Sequence, residues 1–133
     1  MPTIAEQFAA PHTASLSRPA ARLVRASRLW VALARRGHNP RACLRPLLGP
    51  AEPAFCQFME RLVAAWPDPF AALPPCATFL SADEATVAGL FEAALAARPQ
   101  AAEALLADLL ATDERRRLWQ AASAVTHGLA EEA

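Results

Sequence analysis

Residues 81–95 read SADEATVAGLFEAAL and carry the clearest helix signal in the chain. Ser81 can accept a hydrogen bond from the third amide of a helix while Glu84 reaches back to the cap amide, a reciprocal pattern known as a capping box. Apolar side chains then recur at the spacing of one helix face: Val87, Leu90, Phe91 and Leu95. The stretch predicts a helix over residues 82–97 that packs one face against a core.

Similar signals predict helices on both sides of this stretch. Prolines suit the first turn of a helix and glycines often end one, and they bound further segments with apolar residues every three or four positions. These segments predict helices over about 19–36, 40–48, 53–66, 99–111 and 113–129. No segment shows the sustained alternation of a β-strand. The sequence therefore predicts an all-α, single-domain bundle of five to six helices within residues 18–130.

A proline-rich connection, residues 67–80, lies between the two halves of the predicted bundle. Four prolines exclude a regular helix there: Pro67, Pro69, Pro74 and Pro75. The segment could be a hinge or a strap packed across the bundle, and we expect a strap because neither half is large enough to bury its own core. Residues 1–17 show weak periodicity and predict a flexible N-terminal arm with a short docked turn near residues 4–8.

Charge is divided unevenly along a chain whose formal net charge is zero. The 133 residues contain thirteen arginines and no lysine, and through Trp66 nine arginines stand against three acidic residues, a net charge of +6. From Pro67 onward four arginines stand against ten acidic residues, a net charge of −6. A surface of one sign can attract a nucleic acid, an acidic protein or a second copy of the chain.

Most of the positive charge falls on one side of the first predicted helix. At roughly 100° per residue, six of its arginines lie within an arc of about 140°, and two more extend the charge onto the next helix. This candidate partner-binding set is Arg18, Arg22, Arg25, Arg28, Arg35, Arg36, Arg41 and Arg45. Three interpretations stay open: acids of the second half, such as Glu92, Glu103 and Asp108, neutralise the face, an acidic protein binds it, or nucleic-acid phosphates bind it.

A second arginine cluster opens the last predicted helix. Arg115, Arg116 and Arg117 stand where a helix-turn-helix places its base-reading side chains, although Asp113 and Arg117 also form an ordinary i, i+4 pair. Trp119 lies beside the apolar stripe of this helix and can be partly exposed next to the arginines. Tryptophan with arginine is typical of hot spots in protein interfaces, so these arginines and Trp119 join the candidate partner-binding set.

No pattern in the sequence points to catalysis, a cofactor or a metal. Intervals of 5, 13 and 20 residues separate His38, Cys43, Cys56 and Cys76, without the short pairs that mark zinc sites. Cys76 follows two prolines and is the thiol we expect to be most exposed, but no adjacent base or cation supports a reactive role. The odd number of cysteines and the lack of a signal peptide or membrane-spanning run favour a cytoplasmic protein that does not enter the membrane.

Short fragments are spread between residues 18 and 129: Arg22-Leu23-Val24, Arg35-Arg36, Pro75-Cys76, Leu80-Ser81 with Glu84, Leu105-Leu106 and Leu109-Leu110. In these fragments the chain resembles small, alanine-rich, all-helical bacterial proteins of unknown function. The resemblance implies a helical fold and adds no chemistry.

The sequence predicts a non-enzymatic protein-interaction or regulatory adaptor module that binds through its arginine-rich helical face, without a cofactor. The expected partner is another protein or a second copy of the chain. The alternative is a nucleic-acid-binding transcriptional regulator that uses the same face, with residues 115–117 as a second contact. Under either interpretation, reversing Arg22, Arg25 and Arg36 to Glu should abolish partner binding and leave helicity intact.

Overall fold

The computed structural model describes residues 12–130, and within them the chain is all-α, as predicted. Its six α-helices are α1 (Arg18–Arg35), α2 (Arg41–Leu48), α3 (Glu52–Ala65), α4 (Ala82–Leu95), α5 (Pro99–Leu106) and α6 (Thr112–Ala130). Two 3-10 turns, Thr13–Ser15 and Gly49–Ala51, precede α1 and α3. The described residues contain no β-strand, although an isolated antiparallel bridge joins His12 and Phe79.

Helix starts follow the capping signals of the sequence. The capping box is confirmed, because the Glu84 amide donates to Ser81 Oγ at 3.0 Å and the Ser81 amide donates to Glu84 Oε1 at 3.0 Å. Ser17 caps α1 by accepting from the amide of Ala20 at 3.3 Å. The ends of the helices fit less well, since α5 stops at Leu106, five residues before the predicted end at 111.

The core forms where α3 packs between its neighbours. Buried side chains of α3 meet those of α4 and α6, and the rings of Phe58 and Phe91 lie 4.9 Å apart. The large apolar side chains of α3 that are fully buried are those of Phe55, Phe58, Met59 and Leu62. Each large side chain buried in this way contributes roughly 1.5–3 kcal/mol, so these few residues support a core that the many alanines alone could not.

The proline-rich connection packs across the bundle as a strap, residues 67–80. Phe70 is buried in the core, with its ring 5.4 Å from that of Trp66, and Leu80 is buried near the other end of the strap. The segment therefore joins the two halves through packed side chains, which a free hinge would not provide.

Residues 12–17, which belong to the predicted arm, are held against this strap and α4. The amide of Thr13 donates to the carbonyl of Thr78 at 3.0 Å, and the amide of Ser17 donates to Glu92 Oε2 at 3.1 Å. These bonds join residues 12–17 to the strap and to α4. The rest of the predicted arm, with the turn expected near residues 4–8, lies outside the described residues.

Across residues 12–130, none of the helices combines the length and the apolar character needed to cross a membrane.

Candidate partner-binding surface

Arg28 departs from the predicted arginine face. Its side chain is only 1% exposed and forms an ion pair with Glu84, with Nε 2.8 Å from Glu84 Oε2. Its two terminal nitrogens donate to the carbonyls of Ala77 and Phe79, each at 2.8 Å. The prediction that Arg28 binds a partner is therefore wrong, because its guanidinium is buried and hydrogen-bonded to α4 and the strap.

Glu84 is the centre of this buried network. Its carboxylate accepts from Arg28, from the cap amide of Ser81 and from the amide of Leu73 at 3.1 Å. Burial alone raises the pKa of Glu84, but these hydrogen bonds and the charge of Arg28 outweigh it and hold the pKa below its ordinary value. Glu84 is thus ionised at neutral pH and fixes the strap to the start of α4.

A row of exposed and partly exposed residues, spaced alternately by four and three positions, follows one side of α1 to its C-cap. Its members are Arg18, Arg22, Arg25, Leu29, Ala32 and Arg36. At 1.5 Å per residue the row is about 27 Å long. We call its four arginines, Arg18, Arg22, Arg25 and Arg36, the arginine strip. Arg35 points away from the strip and donates to the carbonyl of Phe70 at 3.1 Å.

Within the strip, Arg22 has a structural contact. Its Nε donates to the carbonyl of Leu47 at 2.9 Å, in the last turn of α2, where unpaired carbonyls favour a cation. Arg18, Arg25 and Arg36 are exposed and form no ion pair with any residue between 12 and 130. Three of the four guanidinium groups are therefore open to a partner as far as the described chain is concerned.

Arg41 and Arg45 do not extend the strip as free charges. Both pair with Glu52, a carboxylate that is 1% exposed, at 3.3 Å and 3.4 Å respectively, and Arg41 also approaches Glu60 at 3.5 Å. Acidic residues of the same half of the chain therefore largely neutralise their charge. These two arginines tie α2 to α3.

The acidic residues that were expected to neutralise the arginine face form contacts with other residues. Glu92 accepts from the amide and hydroxyl of Ser17, and Glu103 pairs with Arg115 at 2.5 Å. Among residues 12–130, one ion pair joins the two halves of the chain, that between Arg28 and Glu84. The charge split is therefore not cancelled across the described fold.

The second arginine cluster belongs to another surface. Arg115 is mostly buried and pairs with Glu103, and Arg117 pairs with Glu114 at 3.2 Å and not with the predicted Asp113. Arg116 is exposed and pairs with no acid in the described range. Because α6 packs on α3 and α4 and shares no extended contact with α1, residues 115–117 do not continue the strip.

Trp119 is half-buried, in agreement with the expected partial exposure. Its ring packs against the core from α6, and its remaining surface lines two open clefts beside α5 and the end of α4. A side chain that is anchored on one side and open on the other suits an interface anchor.

Cys76 lies on a cleft that no local sequence pattern predicts. The cleft, of about 370 Å³, lies between α1, the strap and the turn at residues 13–15, and is lined by Arg25, Arg28 and the exposed Cys76 among others. Arg25 and Cys76 are 51 positions apart in the sequence, and only the folding of the strap brings them to one cleft. Arg25 of the strip thus stands at the rim of a concave surface.

The candidate metal ligands do not assemble. Among residues 12–130 no three histidine, cysteine or acidic side chains lie close enough together to hold a metal ion. Cys43 is exposed on α2, whereas Cys56 is buried in α3. Comparison of the chain with protein-family models, with curated proteins and with solved structures found no match.

Proposed function

We propose that this chain is a non-enzymatic, cytoplasmic binding module whose arginine strip docks an acidic surface of a partner protein. The observation that carries the proposal is that three exposed arginines along one side of α1 and its C-cap, Arg18, Arg25 and Arg36, form no ion pair with any described residue. Like charges in a row repel one another at low salt, and a complementary acidic surface relieves this repulsion. The same charges also attract such a surface over a distance and speed its association.

A regulator that binds nucleic acid through the same strip is the second candidate. It would have used residues 115–117 as a second phosphate contact. Arg115 and Arg117 are already paired with Glu103 and Glu114, which weakens that contact and favours a protein partner. The two candidates differ in salt dependence, because phosphate binding releases counterions and gives a log–log slope of several units.

The proposal is tested by retention from native lysate on the immobilised protein, with and without nuclease. We compare the wild type with Arg25→Glu/Arg36→Glu, which reverses two open charges of the strip. Arg22 is left unchanged because its bond to Leu47 would confuse binding with stability. The matched control is Arg61→Glu/Gln100→Glu/Gln120→Glu, which changes the net charge by the same amount at exposed positions outside the strip.

The expected result is a nuclease-resistant protein that the wild type and the control retain in stoichiometric amount and the strip variant loses by about tenfold or more. Equal retention by the strip variant would reject the strip as the binding surface. Retention that disappears with nuclease, together with a steep salt slope, would instead support the nucleic-acid candidate.

A further inference from the structure

A groove runs along α6 on the side that faces α5 and the end of α4. Helix α5 packs closely on α4 but touches α6 at few places, which leaves a channel between them. Two clefts of about 210 Å³ and about 440 Å³ lie along α6, one on each side of Trp119, which lines both of them. Because the same helix lines both clefts, we treat them together as one groove with Trp119 at its centre. We call this the Trp119 groove.

The α6 wall of the groove has the geometry of a helix-packing seam. A row of its residues alternates by four and three positions over a length of about 27 Å. The row is Thr112, Arg116, Trp119, Ser123, Thr126 and Ala130, and Arg115 and His127 line the clefts beside it. This is the spacing with which one helix receives another at a shallow crossing angle, and the small residues at 123 and 130 allow close approach.

The opposite wall supplies apolar surface that the fold does not cover. Leu95, at the end of α4, is 38% exposed and lines the groove with Ala94 and Ala97. In the other half the apolar residues of α5 beside the groove, Ala102 and Leu106, are buried in the core. The exposed apolar surface of the groove is therefore that of Trp119 and Leu95.

Arginines outnumber carboxylates at this groove, where the one acidic side chain in the lining, Glu103, is paired with Arg115. Of the four arginines that follow Pro67, Arg115 and Arg116 line the groove and Arg98 stands between two residues that line it, Ala97 and Pro99. Arg98 and Arg116 are exposed and pair with no acid among residues 12–130. In a half of the chain with an excess of acids, the open positive charge is thus gathered beside the one half-exposed tryptophan of the described chain.

We infer that the Trp119 groove is a second docking site, separate from the arginine strip, for an acidic amphipathic helix of a partner protein. Apolar residues of that helix would pack on Trp119 and Leu95, and its carboxylates would meet Arg98 and Arg116. Helix-in-groove binding of this kind uses anchors at i, i+3, i+4 and i+7, which matches the spacing of the α6 wall. A module with both surfaces could hold two partners at once.

A second copy of the chain is the less suitable occupant. A second copy that docked through α1 would bring the arginine strip against Arg98 and Arg116. Like charges brought together across an interface disfavour that pairing. Charge complementarity therefore selects an acidic helix.

The test measures binding of a fluorescent amphipathic peptide of about five helical turns, with leucines on one face and glutamates on the other. A matched peptide carries lysines in place of the glutamates. The protein variants are Trp119→Ala, Arg98→Glu/Arg116→Glu and, as the control, Arg25→Glu/Arg36→Glu in the strip. Circular dichroism melts verify folding, and the charge variant keeps the test valid if Trp119→Ala is unstable because its two positions are exposed.

We expect saturable binding of the acidic peptide and little binding of the basic one, with affinity reduced about tenfold or more by the groove variants and unchanged by the strip variant. Loss of binding in the strip variant alone would overturn the groove and assign the peptide to the strip. Absence of saturable binding, equal binding of the basic peptide, or a concentration-dependent dimer abolished by Arg98→Glu/Arg116→Glu would also overturn it. None of these outcomes removes the predicted retention of a partner protein by the strip, so the two proposals fail separately.

Discussion

Individual side chains in this fold take roles that their position in the sequence does not reveal. On a helical wheel Arg28 lies at the edge of the arginine arc, and its burial depends on Glu84, which is 56 positions away. Arg22 likewise depends on a carbonyl at the end of another helix. The sequence predicts the helix that carries each arginine and the side of that helix on which it lies. It does not predict the distant residue that the arginine contacts, and this contact determines whether the arginine stabilises the fold or is open to a partner.

Cys56 provides a prediction at the same scale. Burial, followed by the nearby carboxylate of Glu52, raises the pKa of this thiol from 9.0 to about 11. Such a shift lowers the thiolate fraction near neutral pH by about a hundredfold, and the thiolate is the reactive form. Alkylation of the native protein should therefore modify Cys43 and Cys76 and spare Cys56, which reacts only after denaturation. Peptide mass spectrometry reads this directly, and equal labelling of all three thiols would contradict the burial of Cys56.

At the scale of the elements, helix starts were easier to predict than helix ends. Ser81 with Glu84 and Ser17 are local signals, because the cap side chain and the amides it satisfies are neighbours in sequence. The end of α1 was also signalled, by Gly37. The end of α4 was not, because alanine at positions 96 and 97 continues a helical pattern, and Pro99 alone indicated that the helix must stop.

The ends of α1 and α4 have the same backbone geometry built from different residues. Gly37 and Ala97 both have positive φ, 75° and 54°, and in each case the next amide bonds back five residues, His38 to Leu33 at 3.0 Å and Arg98 to Ala93 at 2.8 Å. Glycine adopts this left-handed conformation freely, whereas a residue with a Cβ is strained there by roughly 1 kcal/mol.

We therefore predict that replacing the alanine by glycine and the glycine by alanine change the free energy of unfolding in opposite directions. Ala97→Gly should raise the free energy of unfolding by up to about 1 kcal/mol, and Gly37→Ala should lower it by a similar amount. Gly37 has open space around the position of an added Cβ, so its loss reports backbone strain without a steric clash. Urea denaturation of both variants provides the measurement, and a destabilised Ala97→Gly would show that this turn is not strained.

For the whole molecule, the strap decides how the two halves become one fold. An alanine-rich bundle of short helices has few large side chains to bury. Neither half of the chain is large enough to bury a core of its own, which predicts one domain with a strap. The structure adds the mechanism: Phe70 enters the core, and Arg28 of α1 bonds to two strap carbonyls and to Glu84 of α4. The arginine strip and the Trp119 groove then lie on helices that share no extended contact, α1 and α6, so each can bind independently.

The buried pair that links these parts should dominate the stability of the molecule. Arg28→Met leaves Glu84 buried without its cation, and Glu84→Gln leaves the guanidinium without its anion. Either variant should lower the free energy of unfolding by about 3–5 kcal/mol, a large share of the roughly 5–15 kcal/mol of an ordinary domain. The double variant should lose less than the sum of the two, because it removes both charges together. Asp83→Asn, which alters a carboxylate bonded to the amide of Ala71 near the surface, is the matched control and should have a small effect.

The same pair gives the stability a defined pH dependence. Because the pKa of Glu84 is lowered in the folded state, its contribution is fully present above its ordinary value of 4.5 and is lost as the pH falls through the lowered value. Arg28→Met removes the bond and charge that lower this pKa and leaves the burial that raises it, so the variant should lose less stability on acidification than the wild type. Glu84→Gln removes this titration altogether. Urea denaturation at about pH 7 and about pH 4 checks both statements, and an acid loss as steep in Glu84→Gln as in the wild type would mean that other carboxylates carry the pH dependence.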